Sequence, residues 1–378
     1  MELIVTTMQG LEEVLLSELK DMGVKSPQVL TRAVKCHGDL KMMYRINYLA
    51  RTALRVLIPL GEFKILTDKD IYKHFSRIDW EQYFDIRGTF SINTVGVNEF
   101  IRNSMYASLI AKDAIVDQFR DKYQKRPNVN PVNPTLNINI HIRRNTMTVS
   151  LNSSGESLHQ RGYRVHGLDA PLNEVLAAGL VLLSGWAGET PLIDPMCGSG
   201  TIGIEAYRIA ANIPPQREDR SFDFKKWKNF NAKIWKEVLN EAKANEAEGK
   251  PTILLYDKSL QAVRGTQENV QTAEIEGISV SRQDFFKAEG VHDSTVITNP
   301  PYDIRLKEDD INKFYQQIAE KLKQDYHDCT AWIFSGNMAA LKSMSLKPSK
   351  RITLMNGDIE SRLYKYEIYE GRRGDKTE

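Results

Sequence analysis

Cysteine is scarce in this chain of 378 residues: Cys36, Cys197 and Cys329 stand far apart and form no CxxC pair. Their spacing excludes a disulfide framework and a zinc site, and it suits a reducing cytoplasm. Long apolar runs are missing too. No stretch approaches the ~20 residues a membrane helix needs, and Met1-Glu2-Leu3 lacks the basic region of a secretory signal. A dominant charge sign is also absent, since 51 Lys/Arg face 49 Asp/Glu, and the whole-chain balance by itself gives no sign of nucleic acid. What remains, 41% hydrophobic and 26% charged residues, is ordinary for a globular protein with two or three domains and a large core.

Dividing the chain changes the electrostatic picture. Residues 1–165 hold 23 Lys/Arg against 17 Asp/Glu, a net +6, and the remainder holds 28 against 32, a net −4. A positive half suits a module that grips a phosphate backbone, although so modest an excess also describes a solvated surface. Residues 1–60 open with a strand, Leu3-Ile4-Val5-Thr6. A helix follows with Leu11, Val14, Leu15 and Leu19 on one face, then more strands and a helix around Tyr44 to Val56. This pattern predicts a small α+β, ferredoxin-like unit.

Residues 61–160 predict a strand over Thr89–Val95, a helix over Ser104–Tyr123, and a hairpin. The hairpin pairs the strictly alternating Asn137–Ile142 with Met147–Leu151 across Arg143-Arg144-Asn145-Thr146. Lys122, Lys125, Arg126, Arg143 and Arg144 are candidate phosphate contacts, or simply solvated cations. Residues 161–378 alternate strands with helices, so a doubly wound, Rossmann-like α/β sheet is expected. Its strands end at Asp194, Asp257, near Asp284 and at Asn299, followed by Thr330–Phe334 and a closing hairpin of Ile352–Met355 and Arg362–Ile368.

Two motifs lie at those strand ends. Asp194-Pro195-Met196-Cys197-Gly198-Ser199-Gly200-Thr201 joins an apolar strand to a helical run. Its glycines let a ligand approach the backbone, and the helix N-terminus offers free N–H groups. Gly198, Gly200 and Gly203 satisfy GxGxxG, so a nicotinamide cofactor must be weighed. The carboxylate of Asp194 would repel a pyrophosphate, and would instead orient a cationic sulfonium ligand or its amine. S-Adenosylmethionine is therefore the expected cofactor. Cys197 is read as a small residue packed beside the ligand, since no histidine forms a dyad with it.

The second motif is Asn299-Pro300-Pro301-Tyr302, where two prolines stop the strand Thr295–Thr298. The lone pair of a base's exocyclic amine is delocalised into the ring. Two acceptors aimed at its hydrogens, the Asn299 side-chain oxygen and the Pro300 carbonyl, would favour a pyramidal nitrogen, while Tyr302 would stack on the ring. Asp257 is placed for ribose hydroxyls, with Lys258 beside it, and Asp284 with Phe285 is placed for adenine. Both aspartates also suit helix caps or turns.

These motifs resemble the class I S-adenosylmethionine-dependent methyltransferases that act on amino groups. The stretch Asn152-Ser153-Ser154-Gly155-Glu156-Ser157-Leu158-His159-Gln160-Arg161-Gly162-Tyr163-Arg164, with Ala170-Pro171-Leu172-Asn173-Glu174, resembles the junction in THUMP-domain ribosomal RNA methyltransferases. The likeness is nearest to the guanine-N2 methyltransferases of 23S rRNA, and it spans nearly the whole chain. It implies that residues 61–160 are a THUMP domain gripping RNA, that Arg161 and Arg164 join the candidate RNA contacts, and that no metal is required. Such relatives often carry an acidic residue where Ser259 stands here, which puts the ribose contact in question.

An insertion from Pro214 to Gly249 interleaves Lys225, Lys226 and Lys228 with Phe222, Phe224, Trp227 and Phe230. It could stack single-stranded RNA. The simpler reading, preferred here, is a helix docked on the sheet by Trp227, Phe230 and Trp235. Rival functions are adenine-N6 methylation of RNA or DNA, glutamine-N5 methylation of a protein, and a non-catalytic RNA-binding assembly factor.

Overall fold

A computed structural model of the chain describes residues 1–165, 171–247, 249–301 and 308–369. The N-terminal part runs β1 (Glu2–Thr6), α1 (Glu12–Asp21), β2 (Lys25–Leu30), β3 (Ala33–His37), α2 (Leu40–Leu49), β4 (Arg55–Lys64), α3 (Asp68–Phe75), β5 (Thr89–Val95), α4 (Ser104–Tyr123), β6 (Asn128–Val129), β7 (Leu136–Arg143) and β8 (Thr146–Asn152). The C-terminal part runs α5 (Glu174–Ser184), β9 (Leu192–Asp194), α6 (Thr201–Ala210), α7 (Ala232–Ala244), β10 (Ile253–Asp257), α8 (Leu260–Thr272), β11 (Ile278–Arg282), β12 (Thr295–Thr298), α9 (Glu308–Asp325), β13 (Cys329–Ser335), α10 (Met338–Ser343), β14 (Lys350–Asn356) and β15 (Ile359–Ile368).

The alternation in β7 produces the expected half-buried strand: Leu136, Ile138, Ile140 and Ile142 face the core while the residues between them face outward. It joins one sheet of eight strands, in the order β2-β3-β1-β4-β8-β7-β5-β6. A boundary at residue 60 therefore falls inside β4, whose antiparallel pairing with β8 carries the sheet from the first unit into the second. In α1, the expected single apolar face serves two cores. Leu15 and Leu19 enter the N-terminal core, and Leu11 enters the C-terminal one.

The second sheet has the order β11-β10-β9-β12-β13-β15-β14. Strands β9 to β13 are parallel, and β15 runs antiparallel between β13 and β14. Parallel strands buried on both faces read as continuous apolar runs, as Ile253-Leu254-Leu255-Tyr256 does. The insertion docks by its aromatics, but onto the N-terminal core and not onto its own sheet. Phe224 stacks on Tyr44 of α2 at 4.4 Å, and Trp235 meets Tyr48 edge-on at 5.4 Å. Its lysines are engaged as well: Lys225 lies over the Trp235 ring at 4.8 Å, and Lys226 donates to the Pro134 carbonyl at 2.9 Å.

Candidate active site

All the parallel strands of the second sheet end on one rim, and both motifs are delivered there. The glycine loop leaves β9 and enters α6 through Gly200, whose φ of +75° favours glycine. A Cβ there would also lie 2.5 Å from the Thr266 methyl of α8. The same helix ties the loop down, because Thr266 donates to the Gly198 carbonyl at 2.8 Å and Asn269 to the Ser199 carbonyl at 3.0 Å. On the neighbouring strand, Asp257 accepts from the Gly198 N–H at 3.1 Å and from the Ser259 N–H at 2.8 Å. The N-cap Gly200 has no side chain to cap α6, and no side chain among the described residues takes its first N–H groups, which suits an anionic ligand group.

Asp194 is buried. It accepts from the Thr298 hydroxyl at 2.8 Å and from the Met196 N–H at 3.3 Å. Burial outweighs these bonds and, with Asp257 nearby, holds its carboxyl up at about 7. A cation beside it would restore the ionised form. Thr298 thus links the glycine-loop strand to the strand that carries Asn299. Cys197 is buried, with Sγ 3.8 Å from the Thr266 hydroxyl, and burial pushes its thiol well up. Pro195 and Ser199 are also buried, while Lys258 is exposed.

Asp284 accepts from the Phe286 N–H at 3.1 Å, as in a turn. Phe285 faces the core, 5.9 Å from the Tyr326 ring. At the end of β12, Asn299 is half-buried and Pro300 buried, with Pro301 exposed. The Oδ1 atom of Asn299 is enclosed and has no hydrogen-bond partner among the described residues. Tyr302 lies outside the described residues. Thr266, Asn269 and Thr298 were missed in the sequence. The spacing of Thr266 and Asn269, three apart on one helix face, was the available signal.

The candidate RNA contacts separate into three groups. Arg161 is a correction, since it is 2% exposed, donates to the Leu158 carbonyl at 2.6 Å and to the Arg51 carbonyl, and lies 3.6 Å from Glu205. A guanidinium enclosed this way cannot reach a phosphate. Arg164 is corrected too, because it bonds the Leu172 carbonyl at 2.8 Å and the Thr201 hydroxyl at 3.2 Å and pairs with Glu174. It braces the cofactor loop. The five exposed cations lie at two ends of the first sheet. Lys125 and Arg126 precede β6, which pairs with Thr89 and Phe90 at the start of β5. Arg143 and Arg144 lie beyond the far end, where Val95 pairs with His141. Lys122 is already paired with Glu81.

A seven-stranded sheet of this order, with a glycine loop after its first strand and its acceptors on one rim, is a Rossmann-like methyltransferase fold. The profile of the RMKL-like methyltransferase domain matches residues 161–365, that of the THUMP domain residues 67–152, and that of the RlmL ferredoxin-like domain residues 2–57. The chain belongs to the RMKL-like methyltransferase family. A Synechocystis protein named "Putative RNA methyltransferase slr0064" is 38% identical, over 96% of each chain. The "Ribosomal RNA large subunit methyltransferase K/L" of Syntrophotalea carbinolica is 34% identical over 97% of this chain and 53% of its own length. The chain thus spans about half of that relative. A crystal structure described as "SMU.472, a putative methyltransferase complexed with SAH" superposes with a TM-score of 0.88 at 25% identity, covering 98% of this chain and 99% of its own.

The methyl donor of this family is S-adenosylmethionine, and the rim suits it. The donor's carboxylate, amine and ribose hydroxyls need N–H donors and carboxylate acceptors. The uncapped start of α6 would supply the first, and Asp194, Asp257 and Asp284 would supply the second.

Proposed function

We propose that this protein methylates an exocyclic amine of a base in RNA, and that the base is guanine, modified at N2 in 23S rRNA. The observation that carries the reading is the enclosed Oδ1 of Asn299 at the end of β12, which has no partner among the described residues. A buried acceptor without a donor costs roughly 1–3 kcal/mol, and a substrate N–H would remove that cost. In this reading the target base leaves its stack and enters the cleft. Asn299 and the Pro300 carbonyl hold its amine, and Tyr302 stacks on the ring. Bound S-adenosylmethionine supplies an electrophilic methyl group. Gly198, Ser199, Gly200 and Thr201 cradle it, with Asp194, Asp257 and Asp284 as acceptors and Pro195, Cys197, Lys258 and Phe285 around them. Positioning and local electrostatics do the work. The methylated ammonium is acidic and releases its proton to water.

The test offers purified protein and tritiated S-adenosylmethionine to 23S rRNA from a strain lacking the enzyme, with DNA and a protein release factor in parallel. Nucleosides from the labelled RNA are then separated. Label in N2-methylguanosine is expected. Label in N6-methyladenosine would change the base and keep the chemistry. Label confined to DNA or protein would overturn the RNA reading.

A further inference from the structure

Beside the catalytic rim, where the two sheets meet, lies a cavity of about 440 Å³, within the size range of small-ligand sites. The N-terminal sheet contributes Arg32 from the β2–β3 turn and Arg55 from the start of β4, and the connecting segment contributes His159. The catalytic domain contributes Asn173, which caps α5, and Asp358 from the β14–β15 turn. That turn reaches the catalytic rim because β15 runs antiparallel to β13 and sets Arg362 opposite Ser335 at the end of β13. In the sheet, β14 lies three steps from β12, so the cavity is roughly 15 Å from the strand that carries Asn299.

The walls are held in place. A Cβ on Gly10 would lie 2.7 Å from the Thr353 carbonyl, so the β1–α1 loop rests directly on β14. The cationic groups, by contrast, are left unused. The guanidinium groups of Arg32 and Arg55 have no acceptor or anion among the described residues, and Arg55 is half-buried. Burial also draws its pKa down. His159 uses Nδ1 on the Ser157 hydroxyl at 2.8 Å, and its other nitrogen has no partner among the described residues. A desolvated cation without a counter-charge is unfavourable, and a bound anion would relieve it. Asp358, opposite the cations, suits a ribose hydroxyl or a base N–H. Together these groups match one phosphate with its nucleoside.

Given the reading of the chain as an RNA methyltransferase, we propose that this cavity holds a nucleotide of the substrate RNA next to the methylated one, its phosphate on Arg55 and Arg32. The site would then set the distance between the gripped RNA and the flipped base. The test measures binding of 23S rRNA from the strain lacking the enzyme across a salt series, for wild type, Arg55→Gln, Arg32→Gln and Arg55→Lys. Each Gln variant should raise Kd roughly tenfold or more. It should also lower the slope of log Kd against log salt by about 0.7–0.9, and Arg55→Lys should restore the slope. Melting curves verify folding, and the exposed Arg32 decides the matter if Arg55→Gln does not fold. Unchanged Kd and slope in the Gln variants would overturn the proposal. Wild type that binds RNA but methylates none would overturn the assigned activity alone, and the variants would still decide on the cavity. Wild type that binds no RNA would overturn both.

Discussion

The seam between the two sheets and the catalytic rim each hold an asparagine with an enclosed side-chain oxygen, in opposite circumstances. In the seam, Asn47 of α2 donates to the Met43 carbonyl and the Ser153 hydroxyl, both at 2.9 Å, and accepts from the Ser154 hydroxyl at 2.6 Å. Ser153 and Ser154 in turn grip the Val56 backbone on β4 at 2.8 Å. On the rim, the Oδ1 of Asn299 meets no donor among the described residues. The polar groups around Asn47 satisfy one another and tie the segment after β8 to α2 and β4. On the proposed reading, the Asn299 oxygen on the rim is kept for a substrate N–H. The same side chain is thus structural at Asn47, where the fold closes its hydrogen bonds, and on the proposed reading functional at Asn299.

Substitutions can break this contrast. The largest effect is expected at Arg161, where Arg161→Ala leaves Glu205 buried with Tyr163, at 3.0 Å, as its one donor among the described residues. A loss of about 3–5 kcal/mol is expected in denaturant melts. Surviving folded protein should bind RNA as wild type does, and weakened RNA affinity with unchanged stability would restore the arginine as an RNA contact. Next, Asn299→Ala should slow single-turnover methyl transfer by about 10²–10³, with stability unchanged or raised by up to about 1–3 kcal/mol, because the alanine removes the unpaired acceptor. Retained turnover would remove Asn299 from the mechanism. Asn47→Ala should do the reverse, costing about 1–3 kcal/mol by orphaning Ser153 and Ser154 while leaving transfer per folded molecule intact.

A smaller effect concerns pH. The Asp194 carboxyl, held near 7 by burial, must ionise to take a cationic ligand. S-Adenosylmethionine should therefore bind more tightly as pH rises through 7, by up to about tenfold per unit below it, in calorimetry at several pH values. The ligand-free protein should respond oppositely. A raised carboxyl contributes stability below the ordinary carboxylate range, and that contribution is lost as pH rises towards 7. Asp194→Asn should flatten both profiles, and an unaltered profile would dissociate Asp194 from the site. The smallest effect is expected from Arg143→Gln with Arg144→Gln. These lie at the sheet end away from the seam, so the salt dependence of RNA binding should fall less than for Lys125→Gln with Arg126→Gln. The opposite order would place the RNA on the hairpin.

Much of this was legible in the residues. Strict alternation located β7 and β8, the Ser104–Tyr123 helix was read with the bounds it has, and the strand-end carboxylates and Asn299 were found by position. Local periodicity encodes such features because each depends on residues two to four apart. The sequence by itself also determined the parallel second sheet and the rim on which the motifs meet, since the order of strands and helices leaves a parallel sheet few alternatives, whereas the single sheet shared by the first two units appeared only in the structure. Only the tertiary structure decided which polar groups face each other. Arg161 and Arg164 look in sequence like any basic pair, and the Glu205 and Thr201 that engage them come from another element. The insertion's aromatics fill the core of the other domain, and the Arg55 guanidinium reaches the seam with no partner among the described residues. These outcomes depend on contacts between residues far apart in the chain, where burial and pairing are set by packing and not by any local pattern.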